Sequence, residues 1–305
     1  MTFRQFSGIV ELRTKIVSAS TYSIGLLYAL AVKGSVDPLK ALLLGVAGLL
    51  VDMGTTGFNT YFDWYRNVDD PRFNREEAKV LIHEGVSPGS ALGISLICFG
   101  LAGAIGFALT WMVGLPLMVL GLCSMLVGFF YSAGPKPISS TPFGELFAGG
   151  FLGSVYFCIC LYVLTGTISG RFLLVSLPQT LAIAAILSAN NACDIEGDSA
   201  AGRWTLAVVL GKALAPLLIY VEMGSALLLL MIFGFSGILP LYSAWCAMLG
   251  GIGVVFILNR MHRIGYSHET KGPIMGKISL AFMVQSAAQI AALSLMLIFS
   301  KGFLN

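Results

Sequence analysis

The chain has 305 residues, 57% of them hydrophobic and only 11% charged, with a formal net charge of +3. Ordinary soluble domains carry about 25% charged residues, so a soluble fold is excluded. The small net charge and the lack of a basic run give no footing for nucleic acid. What remains is an all-α, polytopic membrane protein.

Crossing a bilayer takes about 20 apolar residues, and nine segments qualify: 16–33, 39–62, 89–112, 115–133, 144–165, 172–193, 208–233, 239–259 and 277–300. Ahead of the first, polar and charged positions recur through Lys15. The apolar stretch that follows is too long for the core of a cleavable leader. Gly114 and Pro116 predict a tight hairpin between the third and fourth spans. The six cysteines show neither metal spacing nor a disulfide framework, and read as small buried apolar residues.

Of the 18 lysines and arginines, only Lys33, Lys40, Arg171 and Lys301 fall in alternate loops and ends on one side. The rest, among them Arg4, Arg13, Lys15, Arg72, Arg75, Lys271 and Lys277, fall on the other. The positive-inside rule makes that richer side cytoplasmic and places the N-terminus there. The alternation holds only with all nine spans counted.

Two polar clusters end apolar runs on that side. The first is Asn59-Thr60-Tyr61-Phe62-Asp63, with Asp69 and Asp70 beyond it; the second runs from Asn190 to Asp198. Asn59 and Asp63, and likewise Asn190, Asp194 and Asp198, recur every four residues, which stacks their oxygens on one helix face. Oxygen-only donors suit a hard cation, and Mg²⁺ prefers a few carboxylates plus substrate phosphates. Asp63 ends the second span and Asp194 the sixth, suggesting two four-helix halves with a ninth helix added. If the clusters meet, they can hold Mg²⁺ and a diphosphate over an apolar tunnel fit for a hydrocarbon tail. Arg66, Arg72, Lys136, Arg203 and Lys212 lie close in sequence to grip phosphate oxygens. A single acid at a membrane boundary is ordinarily a solvated cap; two matched clusters point to a site.

Asp52 and Glu222 lie inside spans, where acids are functional candidates. Asp52, seven residues before Asn59, is a candidate for an acceptor pocket or, with Glu222, for an ion pathway. Gln285 and Gln289 predict hydrogen bonds between helices. His83, His262 and His268 lack metal spacing, and Arg260, His262 and Arg263 read as a patch for lipid headgroups. No glycine-rich loop supports nucleotide binding.

The stretch from Asn190 to Arg203, continued by Thr205-Leu206-Ala207-Val208, resembles the second motif of the UbiA superfamily of intramembrane prenyltransferases. Within it the likeness is greatest to those acting on 1,4-dihydroxy-2-naphthoate in menaquinone synthesis. Asn59 to Asp69 resembles the first motif; Tyr131-Ser132-Ala133-Gly134-Pro135-Lys136-Pro137, Gly144-Glu145 and Arg13 are further matches. The resemblance implies one prenyltransferase domain over residues 1–305, with nine helices around a central cavity. It implies Mg²⁺ as cofactor, a polyprenyl diphosphate as donor, a small aromatic acceptor, and a cytoplasmic-membrane location with the site facing the cytoplasm. Asn59, Asp63, Asp69, Asp194 and Asp198 would then be metal ligands, and Arg66, Lys136 and Arg203 would hold the diphosphate. Asp63, Asp194, Asp198 and Tyr131 would be catalytic, with the Tyr131 ring near the reacting carbon; an interfacial anchor is its other reading. Arg13, Asp52, Asn190 and Asn191 would face the acceptor. Thr60 stands where the family's first motif carries Asp, and restoring that acid is expected to tighten Mg²⁺ dependence if the position is a ligand site. The alternatives are 4-hydroxybenzoate, a porphyrin or a lipid as acceptor, and, in another class, a cation-coupled transporter.

Overall fold

The computed structural model describes residues 1–68 and 79–299, and these contain helices but no strand. In chain order the helices are α1 (Phe3–Val10), α2 (Ile16–Lys33), α3 (Pro38–Tyr65), α4 (Val80–His83), α5 (Pro88–Val113) and α6 (Leu115–Phe130). Then come α7 (Gly144–Gly149), which passes through a π-helical stretch, Gly150–Val155, into α8 (Tyr156–Thr165), and α9 (Gly170–Cys193). The chain closes with α10 (Ile195–Ala200), α11 (Leu206–Phe235), α12 (Tyr242–Ile264) and α13 (Lys271–Phe299). Each expected span contains a helix, though residues 131–133 and 239–241 lie outside the helices. Among the described residues, eight segments are long and apolar enough to cross a membrane, and α6, with 16 residues, is a shorter ninth.

Local chemistry sets the ends. Asp37 caps α3 by accepting the Leu39 and Lys40 N–H groups, with Pro38 at the first helical position. Thr205 caps α11 through the Val208 N–H. Large apolar side chains such as Trp111, Leu249 and Ile252 are exposed on the outer faces, as a lipid solvent permits.

Helix contacts depend on small residues. A Cβ on Gly153 would lie 2.6 Å from the Thr180 Cα, so only glycine allows the π-helical stretch to lie against α9. Beside it, Ser154 hydrogen-bonds Ser176 and Thr180, each at 2.7 Å. Gln179 joins α9 to Thr21 of α2 and Ser286 of α13, at 3.3 and 3.2 Å. The interhelical bonds expected at Gln285 and Gln289 are not made: Gln285 Nε2 and both polar atoms of Gln289 are buried without a hydrogen-bond partner, and Gln285 Oε1 accepts from Ser286 of its own helix.

The two most extensive pairings are α3 with α5 and α9 with α11. These are the second and third spans and the sixth and seventh, so the same pairing recurs four spans later. Each of the two polar clusters thus begins at the end of an equivalently packed helix.

Three features were not legible in advance. α1 is an amphipathic helix whose Thr2 and Gln5 form a reciprocal capping box, and whose Ile9 and Val10 are buried with Val80 and Leu81 of α4. α6 ends at Phe130, so Tyr131 sits at the helix end rather than inside a span. The last helix begins six residues before the expected 277 because Gly272 and Pro273 fall in its first turn, where proline is tolerated.

Candidate active site

The end of α3 and the segment after α9 open onto one cavity of about 1610 Å³. Asn59 and Asp63 line it from α3, and Asn190, Asn191, Asp194 and Asp198 from the second cluster. Helix α9 stops at Cys193 with Asp194 as its cap, and α10 resumes at Ile195. The Asp198 N–H still donates to the Asp194 carbonyl at 2.8 Å, so the four-residue spacing survives the break. Toward the bundle interior the lining turns apolar, with Leu44, Leu109, Leu117 and Ile159. Asp69, and with it Asp70 and Arg72, lies outside the described residues.

The second cluster is held by cations from elsewhere in the chain. Lys271 Nζ lies 2.6 Å from Asp194 Oδ2, and Asn190 donates to the same oxygen at 3.3 Å. Arg203 pairs with Asp198 at 3.2 Å and donates to the Ser139 carbonyl at 2.9 Å, tying the motif to the α6–α7 loop. The Thr205 hydroxyl donates to the other Asp198 oxygen at 3.2 Å. Burial pushes the Asp198 carboxyl up to about 6, and the Asp194 charge adds to it against the pull of Arg203. Burial alone would lower the Arg203 pKa, but Asp198, then Asp63, Tyr131 and Asp194, hold it above its ordinary value. That one guanidinium responds to acids of both clusters because the two helix ends have converged.

Other expected site residues are placed as follows. Tyr131 lines the cavity, and Asn59 donates to the adjacent Ser132 hydroxyl at 3.2 Å. Of the three cations that the resemblance assigns to the diphosphate, only Arg203 lines the cavity. Arg66 is turned the other way: its guanidinium donates to the Ser132 and Gly134 carbonyls at 2.5 and 2.6 Å, fixing the backbone after Tyr131. Lys136 is exposed outside the lining. Arg13 lines the cavity with its side chain exposed. Asp52 also lines it, and is held by Lys15 at 2.6 Å and by the Ser18 hydroxyl at 2.6 Å. Bound in this way, Asp52 is a poor station for a passing ion. Asn191 faces the cavity and donates to Glu145 at 2.8 Å.

Lys15, Lys271 and Glu145 are contacts the sequence did not reveal. Lys271 is 77 residues from Asp194 and Lys15 is 37 from Asp52. No local spacing encodes a pairing at that distance.

Among the described residues, no three His, Cys, Asp or Glu side chains form a group that could hold an ion. Mg²⁺ needs no such cage, since it usually takes one or two carboxylates and completes its shell with water and substrate phosphates. The hard oxygens of Asn59, Asp63, Asp194 and Asp198 around one cavity fit that mode.

The sequence profile of the UbiA prenyltransferase family matches residues 18–299. The chain is 35% identical over 176 residues to a 1,4-dihydroxy-2-naphthoate octaprenyltransferase of Bacillus subtilis, covering 58% of this chain and 56% of that relative. The chain thus spans little more than half the length of that protein in the match. A Mycobacterium tuberculosis protein of the same description is 27% identical over 264 residues, covering 84% and 85%. Among solved structures, a UbiA homolog from Archaeoglobus fulgidus bound to DMAPP and Mg²⁺ superposes with a TM-score of 0.64 at 14% identity, over 95% of this chain and 99% of that one. A homolog from Aeropyrum pernix gives 0.66 at 17% identity, over 92% and 98%. The chain is a multi-pass membrane protein and belongs to the UbiA prenyltransferase family.

Proposed function

We propose that the chain works as a single domain that transfers a polyprenyl group from its diphosphate to 1,4-dihydroxy-2-naphthoate in quinone synthesis. The observation that carries this is the convergence of Asn59 and Asp63 with Asn190, Asp194 and Asp198 over a cavity that turns apolar inward. The names of the relatives support the choice of acceptor. The charge asymmetry of the loops supports a cytoplasmic-membrane location with the polar mouth on the cytoplasmic side.

In this reading Asn59, Asp63, Asp194 and Asp198 hold Mg²⁺, with Asp69 as a further ligand; the bound ion supplies charge stabilisation to the departing diphosphate. Arg203 faces the diphosphate oxygens. The apolar lining shields the prenyl tail from water. The C–O bond breaks with its electron pair on diphosphate, leaving an allylic cation. A ring carbon of the acceptor supplies the electrons for the new C–C bond. Loss of the acceptor carboxylate as CO₂ returns a pair to the ring. The Tyr131 ring borders the space where positive charge develops, where an aromatic face is stabilising. Arg13, Asp52, Asn190 and Asn191 orient the acceptor.

The test is a panel of aromatic acceptors with one prenyl diphosphate, Mg²⁺ and the purified full chain. The expected result is release of diphosphate and CO₂ with dihydroxynaphthoate. Transfer to 4-hydroxybenzoate, a porphyrin or a lipid instead would reassign the acceptor. Vesicle ion flux without either product would overturn the transferase reading.

A further inference from the structure

We infer that Glu145 is a positioning residue for the acceptor: through Asn191 it holds the acceptor ring against the allylic cation, so that the ring and not water captures it. This rests on the function proposed above and deepens it. Glu145 sits in the first turn of α7 and stays out of the cavity lining, whereas Asn191 borders the cavity. Both residues are buried, at 3% and 4% exposure, and the Asn191 amide donates to Glu145 Oε1 at 2.8 Å. Asn190 carries the contact onward, its amide nitrogen lying 3.5 Å from Asn191 Oδ1 and 3.3 Å from Asp194 Oδ2. One buried acid is thus linked to three side chains that line the cavity.

Stability does not account for an acid at this place. Glu145 Oε2 is buried without a hydrogen-bond partner, and among the described residues no lysine, arginine or histidine pairs with Glu145. Burying such an oxygen is unfavourable, and an intramembrane acid that carries this cost is a candidate for function. The surrounding bonds show what it holds. The segment from Ser139 to Glu145 meets the second cluster at three points. Arg203 donates to the Ser139 carbonyl at 2.9 Å, the Trp204 N–H donates to the Ser140 carbonyl at 2.9 Å, and Asn191 donates to Glu145. The same segment holds Tyr131, whose carbonyl accepts the Ser139 N–H at 2.9 Å, and a Cβ on Gly144 would lie 3.8 Å from the Tyr131 hydroxyl. The first two bonds use backbone carbonyls, which every residue supplies. Only the third depends on the side chain of the segment, and it ends on Asn191. Glu145 therefore sets Asn191, which orients the acceptor, against Tyr131, which borders the developing charge. Misplacing reacting groups by about 1 Å can cost a hundredfold in rate. A cation left waiting bonds to a water oxygen, which releases a proton, giving prenyl alcohol and diphosphate with the acceptor unchanged.

The test uses the purified full chain with geranyl diphosphate, Mg²⁺ and dihydroxynaphthoate. It reads the KM of each substrate and the ratio of prenyl alcohol to prenylated ring. Wild type is expected to form a prenylated ring for each diphosphate released. Glu145→Leu should raise the KM of the acceptor about tenfold, the worth of one buried hydrogen bond, and leave that of geranyl diphosphate in place. It should also release diphosphate well in excess of prenylated ring, the difference appearing as prenyl alcohol. Glu145→Gln keeps an oxygen that accepts from Asn191 and should restore most of the wild-type ratio. Glu145→Asp keeps the acid but draws it back by one methylene, and should give the same shift in smaller measure even where Glu145→Leu fails to fold. A residue that only braced α7 against α9 would lower the amount of folded protein without moving a ratio read on the active fraction. A wild-type ratio and acceptor KM in Glu145→Leu or Glu145→Asp would overturn the inference, as would equal rises in both KM values. A wild type that transfers to no acceptor would instead overturn the function proposed above.

Discussion

The Thr60 hydroxyl donates to the Ile9 carbonyl at 3.0 Å and is buried between α3 and α1, so the position lacking the family's acid faces the N-terminal helix and not the cavity. The next helical turn toward the membrane repeats the contact, with the Thr56 hydroxyl donating to the Val10 carbonyl at 2.8 Å. Two threonines on one face of α3 hold the last turn of α1.

Restoring the acid with Thr60→Asp is therefore expected to leave Mg²⁺ dependence unchanged and to loosen α1. A carboxylate facing a carbonyl oxygen has lost its donor and gained repulsion, a penalty of about 1–3 kcal/mol or more. Thermal unfolding in detergent, set beside a Mg²⁺ titration of activity, separates the two. Tighter Mg²⁺ dependence with unchanged stability would return Thr60 to the ligand set.

Asp194→Asn removes one negative charge from the cluster, on a side chain that Lys271 contacts. Turnover should fall by about two orders of magnitude or more, as for the loss of a charge-stabilising group. The fold should persist, because the amide oxygen still accepts. Diphosphate release and the melting profile check both halves.

Arg203, Lys136 and Arg66 should separate sharply. Arg203→Ala strips the buried Asp198 of its cation and should abolish measurable transfer, whereas Lys136→Ala, exposed outside the cavity, should leave diphosphate affinity within about twofold, as surface charges do. Arg66→Lys loses the paired donation to the Ser132 and Gly134 carbonyls. It should lower kcat through the displaced Tyr131 backbone, by up to about a hundredfold for a misplacement near 1 Å. Steady-state kinetics on the three variants would show whether cavity position or nearness in sequence governs the effect.

Lys15 and Asp52 form a buried pair with side chains 8% and 7% exposed. Breaking it with Lys15→Met should destabilise the protein by about 3–5 kcal/mol, since it leaves a charge buried alone. Lys15→Met combined with Asp52→Leu should recover much of the loss. Denaturant titration of the single and double variants would reveal the coupling; additive losses would mean that the two residues act separately.

The sequence by itself determined the solvent, the spans and the motif pattern. Apolar runs near the bilayer width cannot be hidden in water, and Asn190, Asp194 and Asp198 repeat at the spacing that one helix face demands. Both follow from local periodicity, which a linear chain displays in full. The tertiary structure decided which of those residues share a cavity. Arg66 and Lys136 lie as near the motifs in sequence as Arg203 does, yet only Arg203 lines the site. Lys271 and Lys15 complete the acids from 77 and 37 residues away. Such pairs form because a charge buried in a bundle must find an opposite charge, and helix packing, not spacing along the chain, fixes which one lies within reach.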